Sequence, residues 1–215
     1  MPRAKKERCL PKQERSRRRY EAIVDAAAER FATLGFDATT MDAVASDAQT
    51  SIGSVYRFFP DKHALFRAVA ERAMAHVEQT FRTAVAGAGA GQWRALLERS
   101  IDAFVELHER DFAARAVLTN MQLYGEYAEA DQAMSRAFIV TTAALVRSWA
   151  PSLDDGQEDP ALQPSKMLAT VIIQTVSSML IYSQSETPAV RVALFEHCKS
   201  MICGYLEPFL GGSPG

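Results

Sequence analysis

The chain has 215 residues, 48% of them hydrophobic and 23% charged, ordinary globular proportions that exclude a wholly disordered or fibrous protein. Its 24 Lys and Arg against 26 Asp and Glu give a formal net charge of −2, which by itself argues for no anionic partner. That sum hides a gradient: residues 1–20 hold nine basic and two acidic side chains, a local +7, leaving −9 for the rest. Such asymmetry describes a basic arm seeking an anionic surface, attached to a mildly acidic body.

Cys9, Cys198 and Cys203 cannot all pair within one chain, and their spacing gives neither a disulfide framework nor a metal knuckle. A reducing, cytoplasmic compartment is the expectation. The first twenty residues lack the apolar core of a signal peptide. The most apolar run, Met167 to Tyr182, has 16 residues. A membrane span needs about 20, so a buried helix and no membrane partner are expected.

Apolar residues recur at helical spacing almost throughout and period-two alternation is absent, which predicts an all-α fold of about nine helices. Residues 1–16, with Pro2 and Pro11 and few apolar side chains, read as a disordered arm. A first helix carries Ile23, Ala27, Phe31 and Leu34 on one face and stops at Gly35. Thr39 and Thr40 offer N-cap hydroxyls for a short second helix from Met41 to about Ala48. Gln49 and Thr50 turn into a third short helix that ends before Pro60.

Asp61 caps a long fourth helix that runs to the glycine-rich segment at 86–91. A fifth follows, with Trp93, Leu96, Ile101, Phe104 and His108 in an amphipathic stripe. Residues 112–127 look irregular. A further helix keeps Met134, Phe138, Thr141, Leu145 and Trp149 in register, an acidic proline-bounded loop spans 151–164, and two last helices cover about 165–184 and 188–209. In domain terms this gives a head at 17–65, a helical body at 66–210 and a short tail at 211–215.

Function is concentrated between Thr39 and Phe66. Two short helices joined by a tight turn, the second bearing small and polar residues, suit a helix-turn-helix whose second helix enters the major groove. Val44, Ala45, Ala48, Ile52 and Val55 supply apolar contacts between the two helices. Ser51, Gly53, Ser54 and Arg57 are small or polar enough to approach base edges, and Arg57 alone is suited to bidentate reading of guanine. The stretch from Arg17 to Leu65 then resembles the tetracycline-repressor (TetR) family of bacterial transcription regulators. The likeness rests on Ile23 to Ala27, the Leu34-Gly35-Phe36 step, Thr39-Thr40, Val44-Ala45, the run Ser51 to Phe59, Asp61-Lys62 and Ala64-Leu65. Gln49-Thr50 stands where many relatives carry Gly-Val.

The resemblance implies that Thr40, Tyr56 and Lys62 hold DNA phosphates while Ile52, Gly53, Ser54 and Arg57 face the bases. It also implies a C-terminal domain that encloses an effector cavity and dimerises through its last two helices. Arg17 and Arg18, with Arg15 and Arg19, are expected to touch phosphate or the minor groove. Wide apolar surfaces with a few polar tips nominate Trp93, Phe104, His108, Met121, Tyr124, Phe138, Thr141 and Trp149 for the cavity. Met167, Val171, Ile172, Met179, Leu194, Met201 and Tyr205 lie on helices apolar nearly all round and nominate themselves for the dimer interface.

The expected partners are a palindromic double-stranded operator, a small, largely apolar effector and a second copy of the chain. His63, His76, His108 and His197 are scattered, so no metal or other cofactor is expected. No nucleophile elbow, P-loop or zinc-protease motif is present, so no enzyme is expected. The competing reading is a helical dimer that binds small molecules or acts as a scaffold without reading DNA.

Overall fold

A computed structural model describes residues 9–87, 92–120 and 128–211. Among them the regular structure is helical without a strand: α1 (Cys9–Ala38), α2 (Met41–Asp47), α3 (Ile52–Phe58), α4 (Lys62–Val85), α5 (Trp93–Arg110), α6 (Phe112–Thr119), α7 (Ala128–Trp149), α8 (Pro164–Ser183) and α9 (Pro188–Leu210). A one-turn 3₁₀ helix, Pro151–Asp154, occupies the acidic loop.

Two units pack separately. The first takes in the described chain up to Ala73 together with Asp111 to Asn120, and the second the remainder. In the first, Ile23, Val24, Ala27 and Phe31 of α1 are buried with Val44 of α2, Val55 of α3 and Leu65, Phe66 and Val69 of α4, while Leu34 is exposed. Phe31, Phe36 and Phe66 form an aromatic cluster, stacked at 5.6 Å and edge-on at 5.2 and 5.7 Å between ring centroids. Each such buried ring contributes about 1.5–3 kcal/mol through lost water contact. This cluster is what sets α1 against the start of α4.

Gly35 adopts φ 81° and ψ 171°, a region essentially closed to residues with a Cβ, and kinks α1 where the sequence predicts its end. At the other end the helix begins at Cys9, so residues 9–16 are helical rather than a disordered arm. Pro11 falls in the first turn, where its missing N–H has no helical partner to lose. Glu14 and Arg18 pair one turn apart in a run of straight-chained helix formers.

The stretch read as irregular contains α6, capped by Asp111, whose Oδ1 accepts the Ala114 N–H at 2.9 Å. Its buried face is Ala113, Ala114 and Ala116. Eight residues are too short a window to establish a helical period, and their small buried side chains let α6 lie close against α1.

In the second unit, Phe81 of α4 stacks on Phe138 of α7 at 4.2 Å, and Phe104 of α5 stands 6.4 Å from each. Arg94 pairs with Glu207, Lys199 with Asp102 at 2.9 Å and Arg191 with Glu109 at 3.6 Å, numbers running in opposite directions, so α5 and α9 are antiparallel. Exposed pairs of this kind are worth about 0–1 kcal/mol each and fix register more than stability. Helix α8 is long and apolar enough to cross a membrane by length and composition, and it buries Leu168, Ala169, Ile172, Val176 and Leu180 in this core.

Candidate nucleic-acid interface and cavity

Thr40 begins α2 as its N-cap, its Oγ1 accepting the Ala43 N–H at 3.2 Å. The hydroxyl proton is not used in that bond and remains free to donate to a phosphate. After α2 the chain turns through Gln49, at φ 50°, and the Thr50 N–H donates to Ala45 O at 2.9 Å. Gln49 is the one non-glycine with positive φ among the described residues, so this turn is made under strain.

Ser51 caps α3: its Oγ accepts the Ser54 N–H at 3.2 Å and lies 2.9 Å from the Ser54 hydroxyl. Val55 is fully buried against the head, which leaves Ser51, Gly53, Tyr56 and Arg57 exposed and Ile52 and Ser54 half-buried. Tyr56 is 51% exposed, a phenol displayed rather than packed. The Arg57 guanidinium lies 5.0 Å from the Phe58 ring centre, which braces it without occupying its hydrogen-bond donors. A Cβ added at Gly53 meets nothing of the protein within 4 Å. Glycine there satisfies no internal constraint, and it leaves the backbone of α3 open to close approach from solvent.

Lys62, which the resemblance assigns to a phosphate, is hydrogen-bonded within the head in the DNA-free protein. Its Nζ donates to Phe36 O at 2.8 Å, Thr39 O at 3.0 Å and Asp37 O at 3.3 Å, and sits 4.3 Å from the Phe36 ring centre. An ammonium has three donors, and all are committed to carbonyls left over at the end of α1. Lys62 therefore holds the segment leading into α2. Arg17, Arg18 and their neighbours Arg15 and Arg19 are exposed on the first turns of α1, with Arg18 on Glu14. Arg30 grips Asp47 through Nε at 2.5 Å and Nη2 at 3.0 Å, fastening α1 to the end of α2.

The second unit holds a cavity of about 70 Å³. Phe81 and Val85 of α4, Trp93 and Phe104 of α5, and Trp149 of α7 contribute the wide surfaces, and Ile172, Ile173 and Val176 of α8 with Leu206 of α9 close it. Among the described residues, Ser100 and Thr142 bring its hydroxyls and no ionisable side chain lines it. The Ser100 hydroxyl already donates to Leu96 O at 2.7 Å.

Of the residues nominated from the sequence, Trp93, Phe104 and Trp149 line this cavity. Thr141 is exposed, with its hydroxyl on Ala137 O at 3.1 Å, and Thr142 lines the cavity instead, a shift of one residue and about 100° around the helix. His108 is buried but turns Nδ1 to Phe104 O of its own helix at 2.8 Å, and Phe138 supports the wall through Phe81 without lining it. Met121 and Tyr124 lie outside the described residues.

On α8 and α9, Met167, Val171, Met201 and Tyr205 are exposed apolar side chains, and Met179 and Leu194 are half-buried. Ile172, nominated for the same interface, faces the cavity. Gly204 stands between Met201 and Tyr205 with nothing of its own unit within 4 Å of an added Cβ. Among the described residues no group of three or more His, Cys, Asp or Glu is placed to hold a metal ion.

Residues 23–69 match the family model described as bacterial regulatory proteins, tetR family. Residues 92–206 match the one described as tetracyclin repressor-like, C-terminal domain. The uncharacterized HTH-type transcriptional regulator YhgD of Bacillus subtilis (strain 168) is 24% identical over 199 residues, 89% of this chain and 94% of that one. A TetR transcriptional regulator from Chloroflexus aurantiacus J-10-FL has a similar structure, with a TM-score of 0.68 at 19% identity, covering 90% of this chain and 96% of that one. The SmeT–triclosan complex gives a TM-score of 0.61 at 22% identity over 87% of this chain and 90% of that one.

Proposed function

The chain belongs to the TetR family of bacterial regulatory proteins, and from that premise we propose that it is a homodimeric repressor released from a palindromic operator by a small, uncharged, apolar effector. The observation that carries the DNA half is α3, where Gly53 has no internal reason to lack a side chain while Tyr56 and Arg57 are displayed beside it. A phenol anchors on phosphate and a guanidinium reads guanine O6 and N7. The exposed apolar face of α8 and α9 supports pairing with a second copy, since faces of this kind mark interaction sites. Two-fold symmetry then presents two recognition helices to half-sites about 34 Å apart.

The effector half rests on the cavity. Among the described residues the walls carry no ionisable group, which favours a neutral ligand, because a buried unpaired charge costs far more than its contacts return. That SmeT forms a complex with triclosan supports the same choice for a protein of similar fold. At about 70 Å³ the cavity is smaller than the ~150 Å³ that accommodates benzene in a known engineered cavity, so a ligand of that size buried there displaces wall side chains. Helix α4 is one of those walls through Phe81 and Val85, and the same helix carries Leu65, Phe66 and Val69 in the core of the head. Converting a population from 99% bound-competent to 99% incompetent requires about 5.5 kcal/mol of preference for the released form.

The test is selection of double-stranded DNA from a random pool by the purified full-length protein, followed by binding of the selected sequence by Tyr56→Ala and Arg57→Ala variants. A palindromic consensus, lost affinity in both variants and unchanged helical content support the reading. Equal affinity in both variants would leave a scaffold or small-molecule binder that does not read DNA.

A further inference from the structure

Gly35 ends the regular part of α1, and there helix hydrogen bonding runs out: the carbonyls of the last turn and the Phe36 N–H need partners from elsewhere. Asn120, 84 residues further along the chain and at the C-terminal end of α6, supplies them. Its Oδ1 accepts the Phe36 N–H at 2.6 Å, and its Nδ2 donates to Phe31 O at 2.9 Å and to Ala116 O of its own helix at 2.6 Å. The side chain is 1% exposed, so water has no access to take over any of these bonds. Each partner has fixed polarity, one donor facing the oxygen and two acceptors facing the nitrogen, which determines the orientation of the amide. Neither an acid nor an aliphatic side chain of this length meets the same demands.

The segment so held is the one that feeds the reading helices. Lys62 binds the carbonyls of Phe36, Asp37 and Thr39, the Thr39 hydroxyl donates to Gly35 O at 2.8 Å, and the next residue, Thr40, caps α2. Two side chains from outside the segment therefore fix its course, Lys62 from α4 and Asn120 from α6. Both helices continue along the chain into the cavity wall. Helix α4 does so directly, and α6 follows α5 across the single residue Asp111.

We propose that Asn120 is a positioning residue for DNA reading, a buried amide through which α6 sets the course of residues 36–39 and with them the helix-turn-helix. The assignment rests on the DNA-reading function proposed above. It gives the effector a second covalent route to the head beside α4, one that ends on hydrogen bonds rather than on packing.

Amide hydrogen exchange on the full-length protein tests it without DNA. In the wild type the Phe36 amide should exchange as slowly as that of Ala27 in the interior of α1. In Asn120→Ala and Asn120→Leu it should exchange at least 100-fold faster, with Val24, Val44 and Ile202 still protected. At a temperature where circular dichroism shows the variants folded, their affinity for the DNA selected by the wild type should fall at least tenfold. A wild-type Phe36 amide that exchanges like a free loop amide overturns the proposal, and this result needs no variant to fold. So does a variant with fast Phe36 exchange and wild-type affinity, which would make Asn120 structural only. Failure of the wild type to select any DNA defeats the functional reading and the positioning role with it, and the exchange data separate that outcome from failure of the amide latch.

Discussion

At Gly53 the protein leaves room that it does not use. Gly53→Ala should therefore raise stability by about 0.5–1 kcal/mol, the backbone entropy that glycine forfeits in a helix. The same methyl group, at the surface that approaches DNA, should weaken operator binding, and opposite signs in thermal melting and DNA titration are the signature to look for. Gln49 is the reverse case, a side chain where the backbone wants none. Gln49→Gly should stabilise the head by about 1 kcal/mol by removing left-handed strain, read as a shifted urea midpoint. Lys62→Met strips partners from three carbonyls and should cost about 1–3 kcal/mol in the same assay, whereas a lysine serving phosphate alone would leave the midpoint where it was. The capping and displayed residues of α2 and α3 are legible in sequence because their partners lie within three positions. Lys62 is not, since its carbonyls lie 23 to 26 residues away and no local pattern encodes them.

For the elements, the long helices follow from periodicity, and their faces follow less well. Thr142 and Thr141 are adjacent and identical in chemistry, so only packing decides which one lines the cavity. Helix α6 escaped because eight residues span barely two turns, too few to establish a period, and α1 starts earlier than its low apolar content suggests because propensity and a Glu14–Arg18 pair suffice there. On α9, burial pushes both the Cys198 and Cys203 thiols up from their usual range, so the reactive thiolate is scarce at pH 8. Brief treatment of the native protein with iodoacetamide at pH 8 should leave both unmodified by mass spectrometry, and denaturation should expose both. The outward face of the same helix carries Met201 beside Gly204. Met201→Glu should turn a dimer into a folded monomer in sedimentation velocity while both thiols stay protected.

Across the whole molecule, charge decides how DNA is approached. Residues 1–66 carry 12 basic and 9 acidic side chains, and most of the basic ones lie in the first twenty positions. Each phosphate neutralised by the protein adds about −0.9 to the slope of log affinity against log salt. Removing residues 2–16, which hold six of those basic side chains, should flatten the slope by about 2 if two of them meet phosphate in the complex, without changing the selected sequence. A further consequence concerns synthesis rather than binding. Because α6 completes the first unit, that unit is discontinuous in the chain, and a nascent protein cannot close its head when residue 73 leaves the ribosome. It has to wait for residue 120, by which point α5 has also been made. A graft of residues 1–73 onto a foreign body would carry an uncovered face of α1 and the unanswered polar groups of Phe31 and Phe36.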